Sequence, residues 1–262
     1  NYSQPKENGI STMEINNELY FLMGCVFLIA GIVQGLFGMG LPAIGITLLS
    51  VFIPPLPAIG LNIIPILLVS LFQIFQTKNP FNIVIQYKLF ATSMVIIGFL
   101  TSFLVIFLGD ALLLTILASV VILFSLNNIF RQRLTLSKKL DFYWQILFGS
   151  LAGFVGGLTS ILGVVGVMYL AMKDLKPSEF IAVNGFLIFI GCLSVGLGYM
   201  ISGVIQPYMI GPSLLGTVTA FIGFKIGSKL RNFLSSENFY KILWILFLLT
   251  GLRLALTAIS KF

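Results

Sequence analysis

Apolar runs, broken by Gly, Pro and charged residues, divide the chain into ten segments: 19–37, 41–53, 58–76, 87–108, 111–130, 142–161, 163–172, 180–202, 208–224 and 239–252, the last running on toward Ile259. Most approach the roughly 20 residues that carry an α-helix across a hydrocarbon core of about 30 Å. Segments 41–53 and 163–172 are too short to cross comfortably. Residues 1–18 have no apolar face and are expected as a disordered tail or vector-derived leader, with Met13 a candidate native start. Segment 19–37 is read as a structural helix, because no basic region precedes it as one would precede the core of a signal peptide.

The chain also repeats itself. A gapless shift of 122 positions lays Ala30, Gly31, Val33, Gly35 and Leu36 over Ala152, Gly153, Val155, Gly157 and Leu158, and Pro55, Ile59 and Asn62 over Pro177, Ile181 and Asn184. Apolar matches are cheap in a chain this hydrophobic, but Gly, Pro and Asn matches are not. The two short segments fall opposite each other in this register, so each half reads as a broken helical hairpin followed by three spans.

Composition agrees with a membrane setting: 58% of residues are apolar and only 9% charged, with a mean hydropathy of +1.07. A soluble domain carries about 25% charge. The net charge of +7 would suggest a nucleic-acid partner in a soluble protein; here the placement of the basic residues explains it better, and no nucleic acid is expected. If each hairpin returns to the side it left, the second half lies upside down. Twelve of the 15 Lys and Arg residues, from Lys78 to Lys241, then share one side, with Lys6 and Lys261 on the other. Parallel halves would split them 8 to 6, so the positive-inside rule prefers inversion.

The expected fold is therefore an all-α integral membrane protein, an inverted-topology repeat of two halves, each a broken helical hairpin plus three transmembrane helices. The divisions are 1–18 (polar tail), 19–130 (repeat 1), 131–141 (basic cytoplasmic linker) and 142–262 (repeat 2), in the cell's inner or plasma membrane with both termini outside.

There is no His, and Cys25 and Cys192 each lie inside an apolar run. Zinc and haem sites, Cys–His nucleophiles and a disulfide framework are thereby removed; no metal, no cofactor and no enzymatic activity is expected. Asp110, Asp141, Asp174, Glu179 and Glu237 fall in loops or at helix ends. No carboxylate relay crosses the membrane, which points to a uniporter or anion exchanger rather than a proton-coupled carrier.

These residues resemble the TauE/SafE family of anion exporters over about Gly24 to Gly251. The resemblance rests on Gly31, Gly35, Gly38 and Gly40 with Pro42, then Pro57 and Asn62, and on a weaker echo in Gly153, Gly157, Gly163 and Gly166 with Pro177 and Asn184. Val164 stands opposite Pro42, where the family usually has a denser glycine–proline run. The resemblance implies a transporter of sulfite, sulfonates, thiosulfate or related small anions, often directed outward.

Interrupted helices in inverted repeats put substrate near the midplane, where helix ends expose unpaired backbone groups. The candidate binding residues are Gln34, Gly38, Gly40, Pro42, Asn62, Thr159, Ser160, Gly163 and Asn184, with Gln73 and Ser194 as weaker members. A helix beginning at Pro42 would aim its positive end at the break and favour an anion. Asn62 and Asn184 would either cap the broken ends or touch substrate. Gly31, Gly35, Gly153 and Gly157 read as helix-packing positions, Cys192 as a small packing residue, and Trp144 and Trp244 as lipid contacts. The partners expected are a small anion, the lipid bilayer and, as a further candidate, a second copy of the chain. The rival readings are an anion channel of the same architecture and a membrane scaffold without its own substrate.

Overall fold

In hydrocarbon, every backbone N–H and C=O must be satisfied within the protein, so apolar segments of this length become helices. A computed structural model describes residues 17–75, 82, 85–129, 140–173, 175, 177–231 and 236–259, and no strand occurs among them. The first half comprises α1 (Asn17–Phe37), α2 (Leu41–Leu49), α3 (Pro55–Ile74), α4 (Lys88–Ser102), a 3-10 turn (Val105–Phe107) and α5 (Asp110–Ile129). The second comprises α6 (Asp141–Thr159), α7 (Gly163–Ala171), α8 (Pro177–Ile201), a 3-10 turn (Pro207–Met209), α9 (Ile210–Leu230) and α10 (Ser236–Ile259). The starts of α2 and α7, of α3 and α8, and of α4 and α9 each differ by the 122 residues of the sequence shift. Residues 1–16 and most of the basic linker, 131–139, lie outside the described residues.

Five described helical segments are long and apolar enough to cross a membrane: Tyr20–Phe37, Pro55–Ile74, Lys88–Phe107, Glu179–Ile201 and Pro207–Leu230. The segment expected at 41–53 ends as a helix at Leu49, where the chain turns toward Pro54 and Pro55. The segment expected to close at 252 continues to Ile259. Side chains such as Phe21, Ile96, Leu100, Leu197 and Val218 are more than half exposed, which suits a surface solvated by lipid rather than water. Trp244, expected as a lipid contact, is instead buried in the core.

Glycine sets the closest helix contacts. Gly31 and Gly35 of α1 lie on the backbone of α9 at Ala220 and Phe224, while Gly223 and Gly227 of α9 lie on that of α1 at Leu28 and Ile32. In the other half, Gly149, Gly153 and Gly157 of α6 meet α4 at Phe90, Met94 and Gly98. Both pairs run parallel. By contrast, α3 and α8 run antiparallel: Gly185 lies against Ser70 and Gln73, and Gly196 against Ile63. Pro65, inside α3, cannot donate to the Leu61 carbonyl one turn back, and Ser213 Oγ of α9 donates to that carbonyl at 3.0 Å.

Candidate functional site

The first break lies between α1 and α2. Gly38 (φ 72°) and Gly40 (φ 116°) turn the chain through the left-handed region that L side chains avoid. Gln34 organises this turn. Its Oε1 accepts the Leu41 N–H at 2.9 Å, and its Nε2 donates to Gln73 Oε1 at 3.0 Å and to the Gly38 carbonyl at 3.4 Å. Helix α2 begins at Leu41, the first residue of the expected segment, and the Gln34 side chain supplies the acceptor that its first amide needs. Pro42 has no N–H, and Ile44 N–H closes on the Gly40 carbonyl, so Ala43 keeps the remaining donor of the first turn.

The second break lies between α6 and α7 and is built differently. Ser160 carries the left-handed conformation (φ 54°), its N–H donating to the Gly156 carbonyl at 2.7 Å. Thr159 Oγ1 donates to the Val155 carbonyl at 2.7 Å and accepts the Ile161 N–H at 3.1 Å, so its hydroxyl caps the turn. Helix α7 then starts at Gly163. The Gly163 and Val164 amides belong to the first turn, whose donors have no partner within the helix. From α8, Tyr199 donates its hydroxyl to the Gly157 carbonyl at 2.8 Å.

The two breaks meet. A small cavity is lined by Met39, Gly40, Pro42 and Ala43 from the first break, by Ile161, Gly163 and Val164 from the second, and by Ile188 of α8. Asn184 ties α8 to the opposite half, its Nδ2 donating to the Gly38 carbonyl at 2.8 Å. Asn62 Nδ2 reaches the Pro42 carbonyl at 3.5 Å, a long contact. Asn62 Oδ1, Asn184 Oδ1, Gln73 Nε2 and Ser160 Oγ are buried without a hydrogen-bond partner. No ionisable side chain lines the cavity, and no cluster of metal-ligating residues occurs among the described residues. The cavity instead receives the positive ends of two nine-residue helices, α2 and α7.

The family model described as Sulfite exporter TauE/SafE matches residues 23–254. The chain belongs to this family. No curated protein and no solved structure matches it. TauE/SafE proteins are membrane transporters, and the exposed apolar helices agree with an integral membrane protein.

Within this TauE/SafE chain the expected residues divide by position. Gly40, Pro42 and Gly163 line the cavity; Gln34, Gly38, Asn62 and Asn184 brace the first break; Thr159 and Ser160 form the second. Ser194 lies apart and donates to the Val95 carbonyl at 2.6 Å. Met39, Ala43, Ile161, Val164 and Ile188 also line the cavity and were not expected. The repeat carried a signal for some of them, since Met39 and Pro42 correspond to Ile161 and Val164 at the shift of 122.

A second polar group gathers where α4 and α6 begin and α7 ends. Asp141 pairs with Lys173, accepts the Tyr169 hydroxyl at 2.8 Å and accepts from Gln145 Nε2 at 3.1 Å. The Lys173 ammonium lies 5.1 Å from the Tyr169 ring centroid. Just ahead of α4, the Tyr87 ring meets that of Tyr169 edge-on at 6.3 Å, and its hydroxyl is buried without a hydrogen-bond partner.

Proposed function

We propose that the protein moves a small sulfur-containing anion, such as sulfite, a sulfonate or thiosulfate, across the cell's inner or plasma membrane by alternating access. In this reading the halves are inverted repeats. The hairpins α1–α2 and α6–α7 return to the side they enter from, α3–α5 and α8–α10 span, and both termini lie outside. Support comes from the antiparallel pairing of α3 with its counterpart α8, and from the 122-residue spacing of equivalent helix starts.

The carrying observation is the convergence of two half-helix N-termini on one cavity. Backbone amides and helix dipoles attract an anion without the fixed cation that would hold it tightly. Weak binding suits a carrier, which must release what it binds. Rocking one half against the other would open the same site to each side in turn. The site offers no general acid, base or nucleophile, so transport rather than chemistry is the activity proposed.

Reconstitution into liposomes tests this. The wild-type chain should give saturable uptake of labelled sulfite or methanesulfonate. Gly163→Leu should reduce it to the level of empty vesicles while the protein keeps its helical content, since even a Cβ at Gly163 would stand 3.0 Å from Ile188 Cδ1. Undiminished transport by a folded Gly163→Leu protein would move the site elsewhere.

A further inference from the structure

We infer that the cavity selects monoanions over dianions. The inference rests on the anion-carrier reading and names the charge class of its substrate: hydrogen sulfite and sulfonates remain, whereas thiosulfate, a dianion at neutral pH, is set aside. Each helix N-terminus is worth roughly half a positive charge, so α2 and α7 together offer about one. That complements a single negative charge. A second would face no compensating cation, because the lining consists of Met39, Gly40, Pro42, Ala43, Ile161, Gly163, Val164 and Ile188. The cost of desolvating an ion rises with the square of its charge, so the shortfall grows for a dianion.

Buried polar atoms beside the cavity point the same way. Asn184 is fully buried, and its Nδ2 lies 3.9 Å from the Cβ position of the cavity residue Gly163. Its Oδ1 has no partner, and neither does Oδ1 of the fully buried Asn62, which reaches Pro42 through Nδ2. These oxygens only accept hydrogen bonds. Hydrogen sulfite can supply its single O–H to one such oxygen, whereas sulfite and sulfate dianions offer acceptors alone; methanesulfonate, which has no O–H, is admitted on its charge. Ser160 Oγ, next in sequence to the cavity residue Ile161, is likewise fully buried and unpartnered, and it is a donor for an anionic oxygen.

Proton-bearing side chains near the breaks are committed elsewhere: Tyr199 donates to the Gly157 carbonyl, and Cys192 to the Ile63 carbonyl. A pH dependence of transport should therefore belong to the substrate.

The test measures flux through wild-type protein in liposomes between about pH 6 and about pH 8. Methanesulfonate serves as a monoanion that does not titrate, sulfate as a dianion that does not titrate, and sulfite as an anion that loses its last proton near neutrality. Methanesulfonate should cross at a rate independent of pH, and sulfate at the rate of empty vesicles. Sulfite flux should fall roughly tenfold over the range, following its protonated fraction. Sulfate crossing as fast as methanesulfonate, sulfite flux rising with pH, or methanesulfonate falling in parallel with sulfite would each overturn the inference while leaving an anion carrier. No flux of any of the three above empty vesicles would overturn the carrier reading and the inference with it.

Discussion

Asn62 and Asn184 occupy equivalent repeat positions yet do unequal work. Asn184 spans the two halves with a 2.8 Å bond to the Gly38 carbonyl, whereas Asn62 reaches Pro42 within its own half at 3.5 Å. Asn184→Ala should therefore cost about 1–2 kcal/mol, and Asn62→Ala less, read as shifts in the unfolding midpoint of the detergent-solubilised protein. Equal shifts would mean that the shorter bond carries no extra stability. Ser213→Ala makes a similar case at Pro65: it leaves the Leu61 carbonyl unpaired in an apolar interior and should cost about 1–3 kcal/mol by the same measurement. A neutral Ser213→Ala would mean that another donor reaches this carbonyl.

Among the elements, the broken helices were legible because Gly and Pro interrupt apolar runs at matching places in both halves. The bond that secures the start of α2 was not, since it depends on Gln34 reaching seven residues along the chain to accept the Leu41 amide. Thr159, a candidate for substrate in the sequence, instead bonds the Val155 carbonyl four residues back and caps the turn after α6, the usual fate of a hydroxyl in a membrane helix. The apolar cavity residues Met39, Ile161, Val164 and Ile188 look like any other positions in so hydrophobic a chain, and only the meeting of the two breaks distinguishes them. The packing glycines were readable from their spacing of four, and they carry the next prediction. A Cβ at Gly31 would overlap the Ala220 carbonyl, while one at Gly109 would meet nothing within 4 Å. Gly31→Ala should force α1 from α9 at a cost of about 1–3 kcal/mol, with Gly109→Ala as the neutral control in the same thermal unfolding series.

At the scale of the molecule, inversion places the start of α6 and the loop after α8 on opposite faces, because the hairpin α6–α7 returns to its own side and only α8 crosses. Cysteines introduced at the exposed Leu140 and at Gly203, in a Cys25→Ser, Cys192→Ser background, should label from the cytoplasm and from outside respectively. Labelling from one face would defeat the topology. The central claim is that both halves build one anion site, and the stoichiometry of binding tests it most directly. Calorimetric titration of the solubilised protein with methanesulfonate should give one site per chain, lost completely in Gly40→Leu alone and in Gly163→Leu alone, because each residue lines the shared cavity. Two sites in the wild-type chain, with one surviving in each single variant, would contradict it.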